Sequence, residues 1–225
     1  MSTNGDTQEQ MDVELLLLDA RYYFDQGRYF DALPLFQRVV TLAEHWPTNG
    51  VTRMRLGAVL QCAGYCCMRL GEFADASSWL HRAVAHFEMY NSPDRENVAG
   101  LLYALGHCYL RLGRFADAVP WYERSISETE RSPGPIDARN MGRSLHTLGE
   151  CYIRLGEFAA AIEWLRRAVA VKEQGDASAR VDVDSLRLSL SQLGHCYLRQ
   201  GMPAKALSCY ERATSTDQSS GPRVS

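Results

Sequence analysis

The chain has 225 residues, of which 46% are hydrophobic and 23% charged, and its formal net charge is -3. This composition is ordinary for a globular protein, and the small negative charge gives no reason to expect binding to nucleic acid or to a membrane surface. The longest apolar run, residues 13–18, contains Glu14, so no segment is predicted to span a bilayer.

The cysteines and the N-terminal sequence together predict a cytoplasmic setting. The chain has seven cysteines, an odd number, and its first residues, MSTNGDTQEQ, contain neither a basic region nor an apolar one. The pattern favours free thiols in a reducing compartment over a disulfide framework.

One segment recurs along the chain. It reads LGHCYLRLGRFADA at residues 105–118, and its copies begin at residues 63, 148 and 193, with a fainter copy at residues 20–32. The glycine in the middle of each copy recurs at intervals of 44, 42, 43 and 45 residues: Gly27, Gly71, Gly113, Gly156 and Gly201. A fixed period of this size predicts a stack of one supersecondary unit, and such stacks usually present binding surfaces.

Each copy predicts two amphipathic helices joined at the glycine. In the third copy the apolar residues before Gly113 are three and four apart, and a second amphipathic stretch begins at Phe115. The prediction is therefore one array over residues 12–214, with disordered ends at residues 1–11 and 215–225. Turn sequences divide the array into five repeats at about residues 12–46, 51–90, 94–131, 136–174 and 180–214. The fold class is an all-α, right-handed α-solenoid of five helical hairpins.

The order of residues in each copy resembles the tetratricopeptide repeat. In the third copy the matching residues are Leu105, Gly106, Tyr109, Ala118 and Tyr122. The spacing of 42 to 45 residues is longer than the usual 34 and is similar to that of kinesin light chains and Pins-type arrays. The resemblance implies a scaffold whose first helices line a concave groove that holds a partner's peptide.

The resemblance also assigns residues to that groove. An arginine stands two residues before the glycine in copies two to five, and it is joined by the residue after each Leu-Gly or Ala-Gly pair and by polar or aromatic residues earlier in the same helices. These candidates are Arg69, Arg111, Arg154, Arg199, Tyr65, His107, Glu150, His195, Gln61, Tyr103, His146 and Gln192. Such a set suits an acidic segment or a C-terminal carboxylate. An arginine in the last turn of a helix also stabilises the helix dipole, so both roles stay open.

Other recurring positions have structural interpretations. Arg82, Arg124, Arg167 and Arg212 are predicted to form a solvated face of the second helices, paired with acids such as Glu123 and Glu163. Cys66, Cys108, Cys151 and Cys196 share one register, which favours core packing, although Cys62 and Cys66 with a histidine would make half of a metal site. Trp79, Trp121 and Trp164 share another register, with Leu35 and Cys209 in the end copies, and should pack between hairpins. No metal and no cofactor is predicted.

The last copy has no amphipathic helix after it, so an apolar strip of Leu198, Leu207 and Tyr210 is expected at that end. Self-association or a docked partner would cover it. No Ser-His-Asp, H-E-x-x-H or Gly-rich phosphate motif is present, so an enzyme is not expected. The leading hypothesis is a non-enzymatic adaptor that binds a partner peptide or helix. The alternatives are a peptide-sensing regulator of another protein and a structural subunit that assembles through its ends.

Overall fold

The computed structural model describes residues 4–45, 50–89, 95–132, 137–175 and 182–218, and within these ranges it contains ten helices and no strand. The helices are α1 (Asn4–Asp25), α2 (Tyr29–His45), α3 (Gly50–Leu70), α4 (Phe73–Met89), α5 (Arg95–Arg111), α6 (Phe115–Arg131), α7 (Ala138–Leu155), α8 (Phe158–Gln174), α9 (Val183–Arg199) and α10 (Pro203–Gln218). The predicted all-α architecture is therefore confirmed. Hereafter the odd-numbered helices are called A helices and the even-numbered ones B helices.

The helices belong to two compact units. Unit 1, Met1–Leu112, contains α1 to α5, and unit 2, Gly113–Ser225, contains α6 to α10. Within each unit every helix packs against the next one along the chain. The predicted division into five repeats within one array stays a prediction.

The glycine between the two helices of each repeat has a left-handed backbone. Gly156, for example, has φ 81° and ψ 6°, and its N–H donates to the carbonyl of Ile153 at 3.0 Å. The next N–H, of Glu157, donates to the carbonyl of Tyr152 at 2.9 Å. This is the Schellman arrangement that satisfies the last carbonyls of a helix, and a side chain at Gly156 would strain it. The predicted role of the recurring glycine is confirmed.

A second glycine sets the distance between the two helices of a hairpin. A Cβ built on Gly149 of α7 would lie 2.8 Å from Cγ of Leu165 in α8, and one on Gly64 of α3 would lie 2.8 Å from Cγ of Leu80 in α4. Both leucines are completely buried. Glycine is therefore required at this position because the two helix backbones approach closely where the leucine crosses.

The ends of the array differ from the sequence-based expectation. Helix α1 begins at Asn4, inside the segment of residues 1–11 for which disorder was predicted, and α10 extends to Gln218, inside the predicted tail. Residues 8–11, Gln-Glu-Gln-Met, are good helix formers and contain no proline, so they extend α1 toward the N-terminus. The predicted breaks around residues 46–49, 91–94, 133–136 and 176–178 lie outside the described residues.

We expect Gly149→Ala to lower the free energy of unfolding by roughly 1–3 kcal/mol, because the new methyl group overpacks the buried Leu165. Gly100→Ala is the matched control. Gly100 is exposed inside α5, and no atom lies within 4 Å of the position that a Cβ would take there, so the change should raise stability by roughly 0.5–1 kcal/mol. Urea unfolding followed by circular dichroism measures both, and a stabilising Gly149→Ala would contradict the close approach.

Candidate functional site

Each of the four predicted groove arginines lies over an aromatic ring of the preceding hairpin. The guanidinium carbon of Arg111 in α5 is 4.4 Å from the ring centre of Phe73, the first residue of α4. The equivalent distances are 5.3 Å for Arg69 over Tyr29, 4.7 Å for Arg154 over Phe115 and 4.6 Å for Arg199 over Phe158. Each of the four arginines thus forms an equivalent cation–π pair with the hairpin before it.

Two of these rings also contact the histidine one turn before the arginine. The ring centres of Phe73 and His107 are 6.2 Å apart at 67°, and those of Phe158 and His195 are 6.1 Å apart at 47°. Because residues four apart lie on the same side of a helix, the histidine and the arginine contact one aromatic ring together. Tyr103, one turn earlier again, stacks on His107 with 6.5 Å between centres.

These contacts define a set of equivalent surface positions in each unit, and we call this set the A face. It consists of Gln61, Tyr65, Arg69, Tyr103, His107 and Arg111 in unit 1, and of Glu150, Arg154, His195 and Arg199 in unit 2. The arginines and His195 are exposed, and the other members are partly exposed. A guanidinium stacked through its face keeps its N–H edge for solvent or for a ligand, so an exposed stacked arginine can still donate paired hydrogen bonds to a carboxylate.

Two of the predicted groove residues are not on the A face. His146 is 8% exposed, and its Nδ1 lies 2.9 Å from Oγ of Ser189. Gln192 is one residue out of register, since Ser191 stands eight residues before Arg199 as Tyr103 does before Arg111. Within the described part of the chain, Gln192 Oε1 is buried and has no hydrogen-bond partner. The A face therefore does not include His146 or Gln192.

His146 instead belongs to a buried polar cluster in unit 2. Nζ of Lys172, a residue that is 6% exposed, donates to Oγ of Ser189 at 2.7 Å and to the carbonyl of Ser185 at 3.0 Å. Ser189 is completely buried, so its hydroxyl cannot meet a substrate, and the cluster joins α7, α8 and α9. The sequence contains a sign of this cluster, because Lys172 stands at a position where the second copy has Phe87 and the third has Thr129.

Burial changes the pKa of both ionisable members of this cluster. It lowers the pKa of His146 to about 4, with a further lowering by the charge of Lys172. It also lowers the pKa of Lys172 to about 8, against an opposing contribution from Asp182. At neutral pH the cluster therefore contains a neutral imidazole and a charged ammonium group.

Three arginines of the second set stack on the tryptophans of their own helices. The distances from guanidinium carbon to ring centre are 4.8 Å for Arg82 and Trp79, 5.5 Å for Arg124 and Trp121, and 5.0 Å for Arg167 and Trp164. In unit 2, Arg167 donates to Glu130 at 2.5 Å and Arg212 donates to Glu173. These acids differ from the predicted Glu123 and Glu163, since Glu123 accepts instead from the hydroxyl of Tyr152 at 3.1 Å.

The recurring cysteines lie in the core. Cys66, Cys108, Cys151 and Cys196 are all completely buried, and burial raises the pKa of the first three to about 12 and that of Cys196 to about 11. They behave as small apolar side chains. Among the described residues, no three His, Cys, Asp or Glu side chains are grouped so that they could hold a metal ion.

The residues of the predicted end strip are placed differently from one another. Leu198 is 50% exposed and Leu207 is 59% exposed. Tyr210 is partly buried, with its ring edge 2.8 Å from the position that a Cβ on Gly194 would take. Two of the three predicted residues are therefore on the surface. None of the described helices is long and apolar enough to cross a membrane.

Sequence comparison shows the family of this chain. Four profiles described as tetratricopeptide repeat match residues 20–45, 55–127, 142–174 and 189–221. Together they cover most of the chain, and the protein belongs to the tetratricopeptide-repeat family. No curated protein sequence matches the chain significantly.

Solved structures with the same fold include three that cover most of this chain. BtubC (BKLC) from P. vanneervenii has a TM-score of 0.74 at 20% identity, over 95% of this chain and 84% of that one. A putative kinesin light chain with nearly identical TPR-like repeats from Podosopora anserina has a TM-score of 0.67 at 19% identity, over 95% and 98%. The apo form of RapI has a TM-score of 0.73 at 14% identity, over 93% and 71%. These similarities confirm the predicted solenoid fold class.

The buried imidazole makes stability depend on pH. The unfolded chain protonates His146 near pH 6.5 but the folded chain only near pH 4, so stability present above pH 6.5 is lost as the pH falls toward 4. The full loss is about 3 kcal/mol. The variant His146→Gln carries the residue type that Gln61 has at the equivalent position of the second copy. Its stability should lack this pH-dependent loss. Urea unfolding from pH 7 to pH 4 tests it, and parallel curves for the two proteins would rule out the buried neutral histidine.

Proposed function

We propose that this protein is a non-enzymatic interaction scaffold that binds an acidic segment of a partner protein along the A face. The observation that carries the proposal is the repetition of one exposed, stacked arginine at the end of α3, α5, α7 and α9. Tetratricopeptide solenoids present extended binding surfaces of this kind.

The stacking of the arginines supports the proposal because it lowers the cost of binding. Holding a long, flexible side chain still costs about 0.5–1.5 kcal/mol on association. An arginine that already lies over a ring has lost part of its rotamer freedom before the partner arrives. The two such groups in each unit therefore favour a ligand with carboxylates spaced to meet them.

The distribution of charge also supports an acidic partner. Helices α3, α5, α7 and α9 contain ten arginines and three acidic residues, Glu96, Glu150 and Asp184. The whole chain has a net charge of -3. Positive charge is thus concentrated on these four A helices and would steer an acidic segment toward them, whereas the remaining A helix, α1, has six acidic residues and one arginine.

Leu198 and Leu207, which are exposed, favour a second candidate function, assembly through this end of the chain. A second molecule of this protein that docked at Leu207 could not form the arginine–aromatic pair that joins consecutive hairpins. Pro203 takes the place that Phe158 has in the preceding repeat, and Asp25 of α1 takes the place of the stacked arginine. Self-association through Leu207 would therefore need another packing geometry. Cytoplasmic location and the absence of catalysis stay predictions.

Two matched variants test the A face. The first changes Arg69, Arg111 and Arg154 to Gln, and the second changes Arg82, Arg124 and Arg167 to Gln. Each removes three positive charges and the side chain of three equivalent arginines. We expect a partner captured by the wild type from native lysate to be lost with the first variant and retained with the second. The bound partner should also be eluted by salt, because the contacts are electrostatic.

Circular dichroism provides the folding control for both variants. Exposed cation–π pairs contribute only about 0.5–1 kcal/mol each, so both proteins should stay helical. Equal capture by both variants would refute the A face as the binding surface. Loss with the second variant alone would move the site to the B helices.

A further inference from the structure

The last hairpin lacks a tryptophan that the three before it have. Trp79, Trp121 and Trp164 occupy one position of the B helices, and the same position in α10 is Cys209. An open pocket of about 320 Å³ lies at Cys209 in unit 2. The pocket is lined by residues of α8, α9 and α10, among them Val169, Leu193 and Tyr197.

The preceding hairpin shows how an indole is held at this position. Trp164 lies under the guanidinium of Arg167, with 5.0 Å from the guanidinium carbon to the ring centre. Arg167 is itself fixed by its hydrogen bond to Glu130 of the preceding B helix, at 2.5 Å. Trp164, Arg167 and Glu130 thus form one arrangement, in which the carboxylate holds the guanidinium over the ring.

In the last hairpin this arrangement is present without its ring. Arg212 is the register equivalent of Arg167, and it is held by Glu173, the equivalent of Glu130. Both Arg212 and Glu173 line the pocket at Cys209. Arg212 is therefore positioned to cover an aromatic ring that the chain does not itself supply.

The rim of the pocket has also changed its charge relative to the equivalent rim around Trp164. Arg166 replaces Glu123, Lys205 replaces Ala160, and Ser208 replaces Glu163. In the pocket, Lys205 lies over the ring of Tyr197, with 5.6 Å from Nζ to the ring centre. Two acids have thus been lost and two cations gained around the position of the missing indole.

We propose that this pocket binds an aromatic side chain, best a tryptophan, from a partner segment that has acidic residues beside it. The apolar lining and Arg212 recognise the ring, and Arg166 and Lys205 recognise the neighbouring carboxylates. Tyr197 and Leu193 lie on the opposite side of α9 from His195, because residues two apart in a helix are about 200° apart. The pocket is therefore separate from the A face, and either site can fail without the other.

The experiment titrates the full chain, labelled with ¹⁵N, with the peptide N-acetyl-Trp-Glu-Glu-amide. We expect saturable shifts of the amides of Ala170, Tyr197 and Cys209. Cys209→Trp restores the residue of the other hairpins and fills the pocket, so it should weaken the peptide at least tenfold. Cys209→Ser is the matched control, which leaves the pocket open and should bind as the wild type does.

A second pair of measurements separates the two parts of the recognition. N-acetyl-Ala-Glu-Glu-amide should bind at least tenfold more weakly than the tryptophan peptide, and equal binding would mean an anion site without an aromatic subsite. In Arg166→Glu combined with Lys205→Glu, the preference for Trp-Glu-Glu over Trp-Lys-Lys should reverse. Absence of saturable binding, undiminished binding by Cys209→Trp, or an unchanged preference in the double variant would each overturn the proposal.

Discussion

The close crossing of the two helices in a hairpin is the constraint on which the rest of the structure depends. At Gly64 and Gly149 the A helix brings only hydrogen atoms to the crossing, and Leu80 or Leu165 of the B helix fills the space. In these two hairpins the contact fixes how far the B helix lies from its A helix and how each helix is rotated. Since residues three and four apart share one side of a helix, fixing that rotation also fixes which residues form the A face.

The junction between hairpins adds a contact that is both structural and available to a ligand. An arginine stacked on Phe73 or Phe158 links one hairpin to the previous one, yet it keeps its hydrogen-bonding edge in solvent. The two roles considered for these arginines, ligand contact and support of the helix end, are therefore compatible. Because an exposed cation–π pair contributes about 0.5–1 kcal/mol, the arginines can be changed without loss of the fold.

The sequence predicted the features that repeat, because a repeated residue shows its role several times. The period, the left-handed glycines and the arginine register were all visible in this way. The rings under the arginines were not assigned, since a contact between hairpins depends on their relative rotation and not on spacing within one helix. Gln192 was predicted as a groove residue although Ser191 is the equivalent of Tyr103. A shift of one residue turns the side chain by about 100° around the helix.

The positions that break the repeat were the hardest to interpret from sequence. Lys172 and Ser189 form a cluster with His146 only because α7, α8 and α9 meet there. Cys209 was placed in the tryptophan register, and only the structure shows the pocket that Cys209 and Arg212 both line. In a repeat protein the departures from the consensus are thus as informative about function as the consensus itself.

Site-specific photo-crosslinking tests directly whether a partner binds along the A face, and it leaves every arginine in place. A benzoylphenylalanine is introduced in place of His195 on α9 or, as a control, in place of the exposed Ser78 on α4. The partner captured from lysate should be crosslinked through position 195 and not through position 78. Crosslinking through position 78 alone would contradict binding along the A face.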